Sequence, residues 1–352
     1  MNNKSTAAVI YSRYHAQDPN QKDCGAGLIQ QHLIKVCEDL GYTTYFAGQE
    51  DSHYPEEITN ADIIFAIPLA MAKLSNYDVQ GTKYLIANNT HYKVKNARMM
   101  ESAKKWGLQP QGMSDPAIFQ KAYDFSDYIL VGENFAGRKN FIGNGIDAEK
   151  ILYWPNAVDP NVWRFGHEKN ERLTFVCYSS ELSLRKGIPA LVTAWKQYVK
   201  ENPDADLVMI GAPSEATFMV SDKKPEDNIY LYASLYKAQD PNIIQIIQES
   251  HAGVLPTLED AQCVSILEMA SCGLPLITTR ESGHNFTDNF CEYVDADSVG
   301  SILNALRYYG DLYKDYPDVL QNKGRMARQF VLSYHTWNNF EGYIKDAITL
   351  HE

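Results

Sequence analysis

Short apolar runs alternate with longer amphipathic stretches along almost the whole chain, and this alternation limits the folds that it can adopt. Runs such as AAVIYS (7–12), DIIFAI (62–67) and LTFVCYS (173–179) are rich in β-branched and aromatic residues and are typical of buried strands. Between such runs, segments 28–41 and 188–202 carry apolar residues at helical spacing. Strands that alternate with helices predict βαβ units, and therefore an α/β fold with parallel sheets.

The length of the chain, 352 residues, is sufficient for two domains of about 150–200 residues each. The polar stretch FGHEKNER (165–172) has few apolar residues, so the boundary between the domains is expected there. Two doubly wound parallel sheets are predicted, each with ligand sites at the carboxyl ends of its strands. No apolar run approaches the ~18 residues of a membrane span.

Composition excludes or favours several classes of function. The net charge of −12 makes the chain a poor nucleic-acid binder. Six scattered cysteines without a Cys-x-x-Cys pair, and an N-terminus without an apolar signal segment, favour free thiols and a cytoplasmic location. One basic cluster indicates a solvated helix face or, alternatively, a site for an acidic acceptor or a membrane surface. It comprises Lys93, Lys95, Arg98, Lys104 and Lys105.

The run PTLEDAQCVSILEMASCGLPLIT (256–278) holds the most specific pattern. It is predicted to form a loop, a short amphipathic helix and a Gly-Leu-Pro break into a strand. Its carboxylates Asp260 and Glu268 are eight residues apart, which is about 12 Å if the whole stretch is helical. Carboxylate pairs that cleave a sugar bond directly lie about 5–9.5 Å apart. The spacing therefore favours binding of two ends of one long ligand.

This run resembles the Glu-x7-Glu signature of retaining GT-B glycosyltransferases of family 4, the group 1 glycosyl transferases. LEMASCGLPLI (267–277) is similar to the family's Leu-Glu-Ala-Met-Ala-x-Gly-x-Pro-Val-Ile, whereas Asp260 replaces the first Glu. In that family the first acid holds the donor sugar and the second holds the ribose. The resemblance assigns these roles to Asp260 and Glu268. It also assigns donor contacts to the predicted helix start, which comprises Ala261, Gln262, Cys263 and Val264.

The resemblance implies the GT-B architecture, in which two Rossmann-like doubly wound domains face each other across a cleft. Residues 1–168 would form an acceptor-binding domain, and residues 169–335 would form the domain that binds the nucleotide sugar. The aromatic-rich segment 336–352 would pack back on the first domain as a helix. The segment 151–163 resembles the family's approach to the crossing between domains.

A second part of the resemblance concerns the diphosphate of the donor. The family clamps it with Gly-Arg-x4-Lys-Gly, and YSSELSLRKG (178–187) places Lys186 at the position of the Lys. Ser180 then replaces the Gly and Glu181 replaces the Arg. This exchange removes a bidentate phosphate contact. Arg185 is a candidate to compensate, although consecutive side chains are expected to point in different directions.

Three further residues complete the predicted site. Gly25 lies before a predicted helix N-terminus, where free N–H groups favour an anion, although such a turn is often only a tight connection. The resemblance places the family's phosphate-binding Gly-Gly loop there. It also places His91 beside the donor sugar, with a structural role as the alternative. Tyr232 is assigned to the nucleotide base by its position at a strand end.

No metal is expected in this site. Two Asp-x-Asp triplets, 204–206 and 295–297, could suggest a metal-dependent transferase of another fold, but both are interpreted as turns. Asp297 or Ser298 is expected to be the N-cap of the helix that follows. No His/Cys cluster has the spacing of a zinc site.

These patterns predict a retaining, metal-independent glycosyltransferase of glycan biosynthesis, with His91, Asp260 and Lys186 as catalytic residues. A hexose or deoxyhexose would move from a UDP- or GDP-sugar to a hydroxyl of a glycan, a lipid-linked glycan or another small acceptor. The first domain would make peripheral contact with a membrane. One alternative is a sugar-nucleotide epimerase or a phosphorylase, for which no matching motif is present. The other is a degenerate GT-B module that binds sugar nucleotide or glycan without turnover, which Glu181 and Asp260 favour.

Overall fold

The structure, a computed structural model, describes residues 5–13, 24–132, 135–166, 168–214, 227–232 and 239–350. The chain divides into two compact units. The first comprises Met1–Lys95, Ser114–Ala157 and Trp337–Glu352, and the second comprises Asn96–Met113 and Val158–Thr336. Each unit has a six-stranded parallel sheet and a hydrophobic core. The predicted α/β class, with two doubly wound parallel sheets, is confirmed.

The elements follow one another along the described residues in the predicted alternation. The strands are β1 Thr6–Tyr11, β2 Thr43–Gly48, β3 Ile63–Ala66, β4 Thr82–Ile86, β5 Tyr128–Val131, β6 Ile151–Tyr153, β7 Leu173–Leu182, β8 Ala205–Pro213, β9 Ile229–Tyr232, β10 Ala252–Leu255, β11 Leu276–Thr278 and β12 Cys291–Tyr293. The helices are α1 Gly25–Asp39, α2 Glu56–Thr59, α3 Pro68–Leu74, α4 Tyr92–Trp106, α5 Pro116–Phe125, α6 Phe135–Gly143, α7 Ile188–Glu201, α8 Pro241–Glu249, α9 Val264–Ser271, α10 Val299–Asp315, α11 Pro317–Tyr334 and α12 Trp337–Thr349.

Both sheets have a point where the chain reverses its direction of travel across the sheet. In the first unit the strand order is β2-β1-β3-β4-β5-β6, so the reversal lies between β1 and β3. In the second unit the order is β12-β11-β10-β7-β8-β9, and the reversal lies between β7 and β10. All recorded strand pairs of the two sheets are parallel. Such reversals are where open α/β sheets bind their ligands.

The last helix, α12, packs within the first unit. Its side chains Phe340, Ile344 and Ile348 recur every four residues, so they share one helix face, and all three are fully buried in the first core. On α1, the ring of His32 stacks on Trp337 with ring centroids 4.0 Å apart, and His32 Nδ1 donates to Glu341 Oε1 at 2.7 Å. Apolar and polar contacts therefore hold α12 against α1.

The division of the chain differs from the boundary expected at 168/169. Residues from Val158 onwards already cluster with the second unit, because Val158 and Trp163 are buried in its core. The segment Asn96–Met113 also belongs to the second unit. It contributes Met99 and Ala103 of α4 to a small cluster with Leu184 and Leu258. The polar residues of the segment 165–172 belong to a surface segment within the second unit and do not mark a domain boundary.

The described residues contain neither a disulfide nor a helix suited to a membrane. All six cysteines are described, and none of them forms a disulfide. No helix in the described ranges combines the length and the apolar character that crossing a membrane requires.

Candidate functional site

Two loops of the second unit meet at the reversal point of its sheet. Strands β7 and β10 are neighbours there, while β8 and β9 continue on one side and β11 and β12 on the other. Ligands of open α/β sheets bind outside the carboxyl ends of the strands at such a point. The fold brings together the predicted site residues that lie in the loops after β7 and β10, which are Arg185, Lys186, Asp260, Ala261, Gln262 and Cys263.

The loop after β7 fits closely against the loop after β10. It contains a 3₁₀ turn, Leu184–Lys186, followed by Gly187 with a φ of 72°. A Cβ at Gly187 would lie 2.0 Å from the carbonyl oxygen of Pro256, so the close approach requires glycine. The N–H of Leu258 also donates to the carbonyl of Arg185 at 2.8 Å. These contacts determine where the side chains of the 3₁₀ turn are placed.

Four charged side chains form a continuous network between these loops. Lys186 Nζ lies 2.8 Å from Asp260 Oδ2, and Arg185 Nη1 lies 2.7 Å from Asp260 Oδ1. Arg185 also donates from Nε and Nη2 to Glu181 Oε1 at 3.0 and 2.9 Å. The expectation that Arg185 and Lys186 diverge is wrong, because the 3₁₀ turn directs both side chains to one carboxylate. Charges of alternating sign balance within the network.

Asp260 is ionised in this environment. Burial by itself would raise the pKa of its carboxyl, but the adjacent ammonium of Lys186 and guanidinium of Arg185 outweigh burial and hold that pKa well below its usual range. The hydroxyl of Thr257 donates a further hydrogen bond to Oδ2 at 2.7 Å. Lys186 is only 4% exposed, so this carboxylate provides the opposite charge that a buried cation needs.

The N-terminus of α9 follows Asp260 directly along the chain. Helix α9 begins at Val264, and its N-cap residue, Cys263, makes no side-chain capping bond. The first N–H groups of a helix have no partner within it, and the helix dipole favours an anion beside them. Lys186 Nζ lies 3.7 Å from Cys263 Sγ, so the ammonium is beside this N-terminus. Asp260 lies in the loop before α9, as the predicted order of loop and helix requires, so the spacing for a fully helical stretch does not apply.

A turn at 280–284 contacts the start of α9. The N–H of Cys263 donates to the carbonyl of Ser282 at 2.9 Å, and His284 Nε2 donates to the carbonyl of Cys263 at 3.0 Å. Burial lowers the pKa of His284 to about 3, so the ring is neutral and carries its proton on Nε2. A Cβ at Gly283, whose φ is 87°, would lie 2.0 Å from the carbonyl oxygen of Ala261. This turn fixes the backbone of Ala261, Gln262 and Cys263.

Glu268 lies near the middle of α9 and is 6% exposed. Burial raises the pKa of its carboxyl to about 8, and a hydrogen bond with Tyr178 of β7 opposes this shift only in part. Glu268 is therefore a neutral acid at pH 7, not the ionised carboxylate expected from the sequence. A neutral acid donates one hydrogen bond and accepts others. Contact of Glu268 with the ribose stays a prediction, in which Glu268 both donates to a ribose hydroxyl and accepts from one.

The remaining predicted residues of the second unit lie nearer its surface. Ser180 is exposed in β7, and the side chain of Glu181 is 43% exposed. Tyr232, at the end of edge strand β9, is 46% exposed. Together with Tyr230 and Arg172 it lines an open cavity of about 380 Å³ whose lining does not include the charged network. The structure gives Tyr232 no contact with the network, and its role toward a base stays a prediction.

Two predicted residues belong to the first unit. Gly25 is the first residue of α1, which begins earlier than the predicted helix at 28–41, and Cys24 Sγ caps α1 by accepting from the N–H of Gly27 at 3.5 Å. His91 is fully buried, and its ring packs against Tyr92 with ring centroids 4.8 Å apart. Burial lowers the pKa of His91 to about 4. This geometry supports the structural alternative, because the imidazole has no exposed face.

The basic cluster is not a uniformly solvated helix face. Arg98 pairs with Glu281 at 3.2 Å, and Lys105 Nζ lies 3.5 Å from Asp297 Oδ2, both within the second unit. Lys95 is buried. The other two lysines of the cluster are exposed.

The structure supports the interpretation of the second Asp-x-Asp triplet as a turn. Ser298 is the N-cap of α10 and accepts from the N–H of Ser301 at 3.3 Å. Asp297 instead accepts from Trp106 Nε1 at 2.5 Å. Among the residues that the structure describes, no group of three or more His, Cys, Asp or Glu could hold a metal ion.

Three contributors to the site are absent from the sequence-based prediction. They are Thr257, Tyr178 and His284, which contact Asp260, Glu268 and the N-cap of α9 respectively. No spacing rule selects them, because each lies on a different element from its partner or within a turn. Only Thr257 could have been predicted from the sequence, because it follows the carboxyl end of a predicted strand, where open α/β sheets bind ligands.

The fold defines a GT-B protein, with two parallel Rossmann-like sheets. Residues 159–299 match the family described as "Glycosyl transferases group 1". The resemblance to that family is thereby confirmed for the second unit. The match supports glycosyl transfer in general.

Individual relatives are distant. The chain is 24% identical over 139 residues to a subunit of human phosphatidylinositol N-acetylglucosaminyltransferase, and the match covers 39% of this chain and 28% of that relative. Sucrose-phosphate synthase from Thermosynechococcus elongatus has a similar structure, with a TM-score of 0.74, 12% identity and 98% of each chain covered. HepE from Anabaena, solved in complex with UDP and glucose, has a TM-score of 0.67 and 11% identity, with 98% of this chain and 100% of that chain covered.

Proposed function

We propose that this chain is a retaining glycosyltransferase that moves a sugar from a nucleoside diphosphate donor to an acceptor hydroxyl. One observation carries the proposal: Lys186, Arg185 and Asp260 converge beside the start of α9 at the reversal point of the second sheet. A diphosphate needs cations and free N–H groups, and a sugar ring needs an oxygen that accepts hydrogen bonds from its hydroxyls. The two cations, the start of α9 and the carboxylate of Asp260 provide these groups close together.

Each group has a task in the proposed reaction. The bond between the sugar C1 and the leaving phosphate oxygen breaks, and a bond between C1 and the acceptor oxygen forms. The acceptor proton moves to the leaving diphosphate. Lys186 and the N–H groups at the start of α9 stabilise the negative charge that develops on that diphosphate. The ionised carboxylate of Asp260 accepts from hydroxyls of the donor sugar and orients it.

The diphosphate contacts the two cations of the charged network when it binds. In the structure both cations are neutralised by carboxylates, so a diphosphate shares Lys186 and Arg185 with Asp260 and Glu181. Because cations and N–H groups carry the phosphate charge, the proposal includes no metal. UDP and GDP are the proposed nucleotides, and the complex of HepE with UDP and glucose, in a similar fold, supports UDP as the first to test.

The acceptor is proposed to be a hydroxyl of a glycan, a lipid-linked glycan or another small molecule, in the cytoplasm. The name of the human relative, which belongs to a phosphatidylinositol N-acetylglucosaminyltransferase, supports a lipid-linked acceptor. Peripheral membrane contact through the first unit is part of this proposal. Its support is the exposed Lys93, since Arg98, Lys104 and Lys105 of the basic cluster belong to the second unit.

A specific observation favours the second candidate, a GT-B module that binds a sugar nucleotide without turnover. The guanidinium of Arg185 is occupied by Glu181 on one side and by Asp260 on the other. A guanidinium held in this way has few donors left for a phosphate. Glu181→Gln removes the negative charge of the exposed partner and so weakens its contact with Arg185, and tighter binding of UDP by this variant would show that Arg185 is otherwise withheld from the diphosphate.

The test is a thermal-shift screen of UDP, GDP and ADP sugars, followed by incubation of the stabilising donor with simple acceptors. A ligand at 100 times its Kd stabilises the folded chain by about 2.7 kcal/mol, which such a screen detects. Anomeric analysis of the product by NMR is expected to show the configuration of the donor. An inverted product contradicts the retaining mechanism. Binding without transfer or hydrolysis across the panel favours the non-catalytic module.

A further inference from the structure

A cavity of about 230 Å³ lies at the amino ends of the strands of the second sheet, at the opposite end of these strands from the charged network. Its lining includes residues that precede strands of that sheet: Lys169 before β7, His251 before β10 and Pro275 before β11. Because these strands are parallel, such residues lie at their amino ends, whereas the network lies at their carboxyl ends. Tyr313 of α10 and Leu320 of α11 complete the wall.

Two hydrogen-bond donors at this cavity lack a complete set of acceptors among the described residues. Lys169 Nζ donates to the carbonyls of Gln248 at 2.9 Å and Ser250 at 2.7 Å, and an ammonium has a third N–H. His251 Nδ1 accepts from the N–H of Thr174 at 3.1 Å, so the ring proton is on Nε2. No described residue accepts a hydrogen bond from that Nε2. Both donors belong to residues that line the cavity.

The electrostatics of the cavity favour an anion. Burial lowers the pKa of Lys169 only to about 8, so the ammonium is charged at pH 7. The N-terminus of α11 is adjacent: its first residues, Pro317 and Asp318, line the cavity, and its N-cap residue makes no side-chain capping bond. The dipole of this 18-residue helix adds positive potential. Asp318, the carboxylate among these lining residues, is exposed to solvent.

The rest of the wall is mainly apolar. The ring of Phe165 lies against Gly273, where a Cβ would be 2.3 Å from a ring carbon, so only glycine permits this packing. Tyr313 contributes a second ring, and its hydroxyl is already used in donating to the carbonyl of Glu171 at 2.9 Å. Pro275 and Leu320 supply aliphatic surface. The cavity therefore suits a ligand that has an anionic group at one end and an apolar body.

We propose that this cavity is a binding site for a small planar carboxylate, with its anionic group toward Lys169 and His251 and its ring between Phe165, Tyr313 and Leu320. The volume corresponds to about eight liquid waters at ~30 Å³ each, which suits a ligand the size of benzoate. The site is distinct from the charged network, so it stands or falls independently of the proposed glycosyl transfer.

The experiment titrates the full chain with benzoate, with benzamide and benzylamine as neutral and cationic probes of equal size, and follows binding by calorimetry. Benzoate is expected to bind at least ten-fold more tightly than either of the other probes. Lys169→Met is expected to weaken benzoate binding at least ten-fold. Lys200→Met, an exposed lysine at the end of α7, is the matched control and is expected to leave the affinity unchanged.

A second variant covers the case in which Lys169→Met does not fold. Gln321 lines the cavity and is exposed, so Gln321→Trp closes the entrance without disturbing the core, and it is expected to abolish benzoate binding. Equal affinity for benzoate and benzamide overturns the proposal, as does the absence of benzoate binding. Benzoate binding that survives both Lys169→Met and Gln321→Trp places the ligand elsewhere and also overturns it.

Discussion

At the scale of single residues, Asp260 links the two cations that the proposed donor needs. It accepts from Lys186 at 2.8 Å and from Arg185 at 2.7 Å, and both partners follow one another in one 3₁₀ turn. A buried cation without its carboxylate is destabilising, so the network holds the site together before any ligand arrives. The same carboxylate then competes with the diphosphate for Lys186.

Lys186→Met tests the role of the ammonium while it preserves the length of the side chain. We expect UDP to lose affinity while uridine keeps it, because only the diphosphate contacts Lys186. Turnover is expected to fall about 10²–10³-fold, the effect of removing one charge-stabilising donor. The measurement is calorimetry with both ligands and initial-rate kinetics with the donor found by the screen. Lys196→Met, on α7, serves as control; equal losses for UDP and uridine would contradict a phosphate contact.

Glu268 provides a pH-dependent prediction. Its folded pKa of about 8 lies above the value of an unfolded glutamate, so the folded state binds the proton more tightly. The resulting stabilisation is complete below about pH 4.5 and is lost as the pH rises to about 8. We expect Glu268→Gln to remove this loss, which has an upper bound of about 1.4 kcal/mol per pH unit.

Urea unfolding of the wild type and of Glu268→Gln between pH 5 and 8 measures this difference. The stability of the variant relative to the wild type should increase steadily with pH. A constant difference for Glu268→Gln would show that its carboxyl is ionised throughout this range.

At the scale of elements, the site depends on how closely two loops approach each other. The turn after β7 touches the loop after β10 through the backbone at Gly187, and the turn at 280–284 does the same at Gly283. Neither contact involves a side chain of the predicted signature. The positions of the charged groups are therefore set by two glycines that the chemistry itself does not use.

Gly187→Ala tests this dependence. The added Cβ meets the Pro256 carbonyl oxygen at 2.0 Å, and the φ of 72° is also unfavourable for alanine. Gly107→Ala is the matched control, since its φ is 67° and nothing lies within 4 Å of the added Cβ. We expect the control to cost about 1 kcal/mol and Gly187→Ala to cost at least about 2 kcal/mol more. Thermal unfolding compares the two, and equal losses would mean that the clash relaxes freely.

At the scale of the whole molecule, the chain has two units with separate cores, and its last helix belongs to the first of them. Helix α12 buries Phe340, Ile344 and Ile348 against that core. Full burial of such side chains contributes about 1.5–3 kcal/mol each. The stability of the first unit thus depends on residues that follow the second unit in sequence.

Deletion of residues 337–352 is therefore expected to destabilise the first unit by several kcal/mol, about the sum for three buried side chains. The second unit is expected to keep its stability, because Thr336 is the last residue that clusters with it. Hydrogen exchange measures the stability of each unit separately. The amides of β1 to β5 should lose protection, while those of β7 to β11 should retain it. Deletion of 350–352, which begins at the exposed Leu350, is the control. Unchanged protection of the first sheet would show that α12 is dispensable.

The periodicity of apolar residues was sufficient to predict the alternation of strands and helices and the doubly wound class. Apolar periodicity is a local property, since each strand and helix must bury its own face, and so LTFVCYS and IPALVTAWKQYVKEN indicate their structures without reference to the rest of the chain. The resemblance to the family's motifs also singled out the carboxylates Asp260 and Glu268 and the lysine Lys186 as candidate site residues. The matched region, 159–299, contains all three.

The charge state and the neighbours of those residues depend on tertiary contacts that no local pattern reports. Glu268 is a neutral acid and Asp260 an ionised one, because pKa values follow burial and nearby charges that come from other elements. Arg185 and Lys186 converge because Gly187 and Pro256, which are distant in sequence, touch. The boundary also moved to Val158 because Trp163 is buried in the second core. Sequence patterns report which faces are apolar, whereas contacts between distant segments determine what each charged group meets.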